Sequence, residues 1–209
     1  MKMKKILVSL VLWISFISFA SALSLSDALK DSDKLLKQVE TLVIEWNEDE
    51  IISSLHEKWI TIHDTWEAFN PTRSIRRDEA AKMLTLAVKY LPSTSKLSKW
   101  KGVSCTFSDS SKAWDDLRDI IVESCEKWLF KWSNGYFNPQ NSITYAQVFT
   151  VLWRMLYWMQ DESKGHYASE YVKLLVNDWY LDESFSSQSL WNKDANRWDI
   201  AKLLVKVIE

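Results

Sequence analysis

The chain has 209 residues, and its 26 basic residues nearly balance its 28 acidic ones, leaving a net charge of −2. That balance gives no electrostatic footprint for nucleic acid, which is not expected as a partner. The composition is abnormal in one respect. There are 13 Trp and 3 Gly, where about fifteen Gly would be ordinary for this length, so many tryptophans are expected at positions suited to glycine.

From the N-terminus, Lys2, Lys4 and Lys5 flank an apolar run over residues 6–19, followed by Ala20-Ser21-Ala22. Residues 1–22 read as a secretory signal peptide, with an uncleaved membrane anchor as the alternative. Export would place Cys105 and Cys125 in an oxidising compartment, where an even count favours a disulfide over two buried thiols. Residues 23–50 read as a leader helix with Leu35, Leu36, Val39, Leu42 and Val43 on one face.

Three similar segments follow, at residues 51–91, 105–158 and 159–209, with a Ser/Lys/Pro-bearing linker over 92–104. The first contains Glu57-Lys58-Trp59-Ile60, then Phe69-Asn70-Pro71, then Ser74-Ile75-Arg76-Arg77-Asp78-Glu79. The second contains Glu126-Lys127-Trp128-Leu129, Phe137-Asn138-Pro139 and Ser142-Ile143-Thr144-Tyr145-Ala146-Gln147. The third contains Asn177-Asp178-Trp179-Tyr180, Leu190-Trp191-Asn192 and Ala195-Asn196-Arg197-Trp198-Asp199. The near-constant offset from the first Trp of each segment to Arg77, Tyr145 or Arg197 marks an internal repeat.

Each copy reads as helix, loop, helix. In the second, Leu117, Ile120, Ile121 and Cys125 recur at helical spacing, Ser133-Asn134-Gly135 and Pro139 mark a loop, and Thr144 with Gln147 forms a capping box for a new helix. Asn196 and Asp199 offer the same cap in the third copy. In the first, Arg76 occupies the cap slot, so Ser74 is the substitute. The second helices carry apolar faces such as Met83 and Leu84, Val151 and Leu152, and Leu203 and Leu204. Neither helix of a copy can bury its face alone, so the expected fold is mainly α, with three helix-loop-helix units stacked on a shared core.

Phe69-Asn70-Pro71 with Ile75-Arg76-Arg77-Asp78-Glu79-Ala80-Ala81, and Phe137-Asn138-Pro139 with Ile143-Thr144-Tyr145-Ala146-Gln147, resemble the signature of the S-layer homology (SLH) domain. Phe107-Ser108-Asp109 and His166-Tyr167-Ala168 are similar to the motifs that open its repeats. The resemblance covers roughly residues 51–209. It implies three repeats packed as a pseudo-threefold helical bundle, with grooves that hold cell-wall polysaccharide, often through an acidic pyruvyl ketal. Carried over residue by residue, the motif arginine is Arg77 in the first copy and Arg197 in the third. A guanidinium at a helix N-terminus suits a carboxylate. The alternative for each is a surface pair with Asp78 or Asp199, and Arg76 reads as a solvated neighbour. Tyr145 replaces the arginine in the second copy. It can stack on a sugar but cannot pair with an anion.

Trp59, Trp128 and Trp179 follow the ends of first helices, where a left-handed residue, commonly Gly, is needed. Trp66, Trp132, Trp158 and Trp191 also fall at loops or helix ends. This pattern is expected if the natural gene reads UGA as glycine and the present chain reads it as tryptophan. Sugar stacking and core packing are the rival explanations, and Trp114 reads as authentic.

The expected function is non-catalytic anchoring to cell-wall polysaccharide at the cell surface. Alternatives are a structural surface-layer subunit that also binds its own kind, or a wall-acting hydrolase. His56, His63 and His166 lack metal-ligand spacing, and no nucleophile elbow, phosphate loop or dinucleotide fingerprint is present. No cofactor or metal is expected.

Overall fold

The apolar stripes of the sequence lie on helices. The computed structural model describes residues 47–92, 104–131, 134–157 and 165–209. The expected signal peptide, nearly all of the leader helix and most of the linker fall outside them, as do Trp13, Trp46, Trp100, Trp132 and Trp158. Among the described residues the fold is mainly α: α1 (Glu48–Glu57), α2 (Trp66–Phe69), α3 (Arg77–Ala87), α4 (Asp115–Glu126), α5 (Tyr145–Leu156), α6 (Ser169–Asn177), α7 (Gln188–Trp191) and α8 (Arg197–Ile208). The first helix begins at Glu48, inside the stretch read as leader. No helix of the described residues is long and apolar enough to cross a membrane.

The helices α1, α4 and α6 end in the same way. Trp59 N–H donates to His56 O (2.8 Å) and Ile60 N–H to Leu55 O (2.9 Å). Trp128 donates to Cys125 (2.7 Å) and Leu129 to Ser124 (2.9 Å). Trp179 donates to Val176 (3.0 Å) and Tyr180 to Leu175 (2.9 Å). These are three Schellman caps, which require a left-handed residue just past the helix. Trp59, Trp128 and Trp179 supply it, with φ of 57°, 60° and 65°.

Each bend leads through a loop to a short extended strip, and the three strips hydrogen-bond cyclically. Ile143 N–H donates to Ile75 O (3.1 Å), Ala195 N–H to Ile143 O (2.8 Å) and Ile75 N–H to Ala195 O (3.0 Å). Antiparallel bridges join Arg76 to Ser142, Thr144 to Asp194 and Ser74 to Asn196. Ile75, Ile143 and Ala195 are fully buried. The helices close the same ring: α3 packs on α4, α5 on α6, and α8 returns to α1. The second helix of each unit thus covers the first helix of the next.

The caps of the second helices differ from one another. Gln147 accepts from Thr144 N–H (3.2 Å) and Asn196 Oδ1 accepts from Asp199 N–H (2.7 Å), as expected. In the first unit Ser74 is not the cap. Glu79 accepts from Arg76 N–H (3.0 Å), and the buried Asp78 accepts from Glu79 N–H (2.8 Å). Cys105 and Cys125 are joined, tying the segment before α4 to the end of that helix.

Two expectations about tryptophan need correction. Trp66 opens α2 and stacks edge-on against Trp198, with ring centroids 5.0 Å apart. Trp191 ends α7, is buried, and donates from Nε1 to Phe185 O (2.7 Å). Neither has a positive φ. Short helices fill these loops, so no left-handed residue is needed there.

Candidate functional site

Arg77, Tyr145 and Arg197 each occupy the first position of a second helix, and equivalent backbone bonds set their placement. Arg77 N–H donates to Asn141 O (2.8 Å), Tyr145 N–H to Lys193 O (3.1 Å) and Arg197 N–H to Arg73 O (3.1 Å). Each side chain therefore leaves its own unit for the loop of the next. The Arg77 guanidinium lies over Phe137 (4.9 Å) and Phe130 (5.1 Å) of the second unit. The Tyr145 ring meets Phe185 (6.0 Å) of the third, and the Arg197 guanidinium lies over Phe69 (4.6 Å) of the first.

Arg197 is the outlier in polar satisfaction. It is only 7% exposed, yet its guanidinium has no hydrogen-bond acceptor and no ion-pair partner among the described residues, and its Nε is fully buried. Burial lowers its pKa, opposed by the field of Glu79. A buried guanidinium ordinarily takes acceptors for its five N–H groups. Arg197 borders a groove of about 180 Å³ with Ile60, His63, Glu79, Lys82 and Trp114. Glu79 does not close on it, because Arg73 holds that carboxylate at 2.7 Å. Burial opposes ionisation of Glu79, but the bonds from Arg73 and from Arg76 N–H outweigh it and hold the pKa below the usual range. Burial also lowers the pKa of the neighbouring His63, helped by the Arg197 charge.

Arg77 is partly satisfied. One terminal nitrogen donates to Lys131 O (3.0 Å), while Nε is buried without an acceptor. Burial pushes its pKa down to about 10, which leaves it charged at neutral pH. The expected surface pairs do not form. Asp78 is taken by Arg76, whose Nε donates to Oδ1 (3.1 Å) and whose terminal nitrogen donates to Oδ2 (2.5 Å). Arg76 is therefore held by a buried carboxylate and is not the solvated neighbour expected from the sequence. Burial raises the Asp78 pKa despite this partner. Asp199 pairs with Lys202 (2.9 Å) and accepts from Asn196 Nδ2 (3.0 Å).

Tyr145 fills the equivalent slot without a cation. Its hydroxyl donates to Asp199 Oδ2 and accepts from Asn196 Nδ2 (3.2 Å). Burial and the Asp199 carboxylate both raise its pKa, so it stays protonated and locked. The polar groups of this slot satisfy one another.

The side chains bordering the Arg197 groove, notably His63, Lys82 and Trp114, carry no signal in a single repeat. His63 and Lys82 come from the first unit and Trp114 from the second, and they meet Arg197 of the third only through cyclic packing. Asp109 was also legible only as part of an opening motif. It is 2% exposed, and its carboxylate accepts from Phe137 N–H (2.9 Å) and Asn138 N–H (2.8 Å), fixing the Phe-Asn-Pro turn that carries one wall of the Arg77 slot. Among the described residues no cluster of His, Cys, Asp and Glu is arranged to hold a metal. No protein-family model matches the chain, and no curated protein matches it in sequence.

Proposed function

We propose that this protein is a non-catalytic anchor, exported to the cell surface, in which three SLH-type repeats packed as a pseudo-threefold bundle hold acidic cell-wall polysaccharide. The cyclic strip bonds and the cyclic pairing of helices support the repeat arrangement. The observation that carries the binding role is Arg197, a buried guanidinium at a helix N-terminus that borders a groove and lacks an acceptor. A carboxylate supplies two parallel acceptors and removes the cost of burying those donors alone. Arg77 offers a second, weaker cationic slot, and the self-satisfied Tyr145 slot offers none.

The test is co-sedimentation with purified cell walls. Wild-type protein is expected to pellet with the walls. Arg77→Ala combined with Arg197→Ala is expected to bind at least about tenfold more weakly, since a charge-assisted hydrogen bond contributes about 1.5–3 kcal/mol. Unchanged sedimentation of the double variant would remove both residues from the site.

We also infer that Trp59, Trp128 and Trp179 stand where the natural chain carries glycine, through a gene that reads UGA as glycine. All three have positive φ, and Trp59 and Trp179 are 76% and 82% exposed, so core packing does not account for those two. The codons at these positions decide the matter. Peptides of the natural protein that carry Trp128 at full tryptophan mass would refute it.

A further inference from the structure

Trp114 is an exposed indole with a reason to be held still. It precedes α4 with φ −62° and ψ 148°, ordinary extended backbone that makes no call for glycine. It is 55% exposed, and the Arg76 guanidinium sits 4.5 Å from its ring centroid. Arg76 is in turn clamped by the fully buried Asp78 through two bonds. The indole is thus backed by a fixed cation rather than left to rotate. It borders the Arg197 groove together with Ile60, Ile62, Met83 and Leu117.

We propose that Trp114 is the stacking platform and specificity determinant of this groove: a sugar ring lies against the indole while its acidic substituent reaches Arg197. The groove, about 180 Å³ and partly open to solvent, offers room on the scale of a sugar ring. The lining matches that ligand. Apolar side chains and the indole suit the C–H faces of a pyranose, and the pair of Lys82 and Asp116, 3.6 Å apart at the rim, suits its hydroxyls. Arg76, paired with Asp78, covers one face of the indole, so the preference for an anionic sugar comes from Arg197 and not from the platform. A small anion alone would use Arg197 and gain nothing from Trp114.

This inference rests on the anchoring role and fails separately from it. Binding to purified cell walls is measured across wall concentrations for wild type, Arg197→Ala, Trp114→Ala, Trp114→Phe and Trp114→Leu, with the thermal midpoint of each. Trp114→Ala and Trp114→Leu are expected to bind about tenfold more weakly, while Trp114→Phe stays within about threefold of wild type. The Leu variant keeps apolar cover but has no planar face, so the contrast of Phe with Leu reads stacking even if the Ala variant folds poorly. Wild-type affinity in Trp114→Leu, alongside a weakened Arg197→Ala, would overturn the platform and leave the anchor standing. Wild type that fails to bind walls would overturn the anchor itself.

Discussion

A side chain with a Cβ and a bulky ring is costly at φ near +60°, and the chain meets this cost unevenly. Asn70 and Asn138 sit at φ 50° and 59° in the Phe-Asn-Pro turns, where a short polar side chain tolerates the left-handed region. Trp59, Trp128 and Trp179 sit in the same region without that tolerance. Trp59→Gly and Trp179→Gly are therefore expected to stabilise the protein by about 1 kcal/mol each, the relieved strain exceeding the added freedom of glycine in the unfolded chain. The thermal midpoint should rise about 2–4 °C per site. Trp128 is half-buried, so its gain should be smaller. Trp191→Gly should do the reverse and cost about 3–5 kcal/mol, because it empties a buried position and orphans the Phe185 carbonyl. A lowered midpoint for Trp59→Gly would contradict the strain argument.

At the scale of elements, legibility followed the physics of each signal. The long helices announced themselves by apolar spacing, and the caps at Thr144 and Asn196 by residue types that accept from helix N–H groups. Ser74 failed as a cap because two carboxylates further along, Asp78 and Glu79, satisfy the same end of α3. The helices α2 and α7, four residues each, are too short to show a period, which is why Trp66 and Trp191 read as loop residues. The strips leave no side-chain pattern, since each pairs through one or two residues of backbone. Arg77, Tyr145 and Arg197 were legible by motif, whereas Trp114 and His63 were not, because other units bring them to the groove. The disulfide was legible from the expected export and the even cysteine count, and its contribution can be measured. Cys105 and Cys125 close a loop with a sequence separation of 20, so Cys105→Ser with Cys125→Ser is expected to cost about 3 kcal/mol by loop-closure entropy. Chemical denaturation gives the value, and a loss below about 1 kcal/mol would mean that the segment before α4 is held by its packing instead.

For the molecule as a whole, the order of packing matters more than the number of units. In an open array each unit leans on its neighbours, and removing the last leaves the others folded. Here α8 returns to α1, and Ile75 N–H takes its acceptor from Ala195 of the third unit. A chain ending at Tyr157 would uncover α1 and α5 together and leave the Ile75 N–H, now buried, without a partner. It would also delete Arg197, and with it the guanidinium of the groove that Trp114 borders. The truncated protein is expected to show no cooperative thermal transition, while the full chain unfolds in one transition with matching calorimetric and van't Hoff enthalpies. If the fragment melted cooperatively near the temperature of the full chain, the ring would be a geometric coincidence rather than the source of stability, and each groove would have to be treated as an independent site.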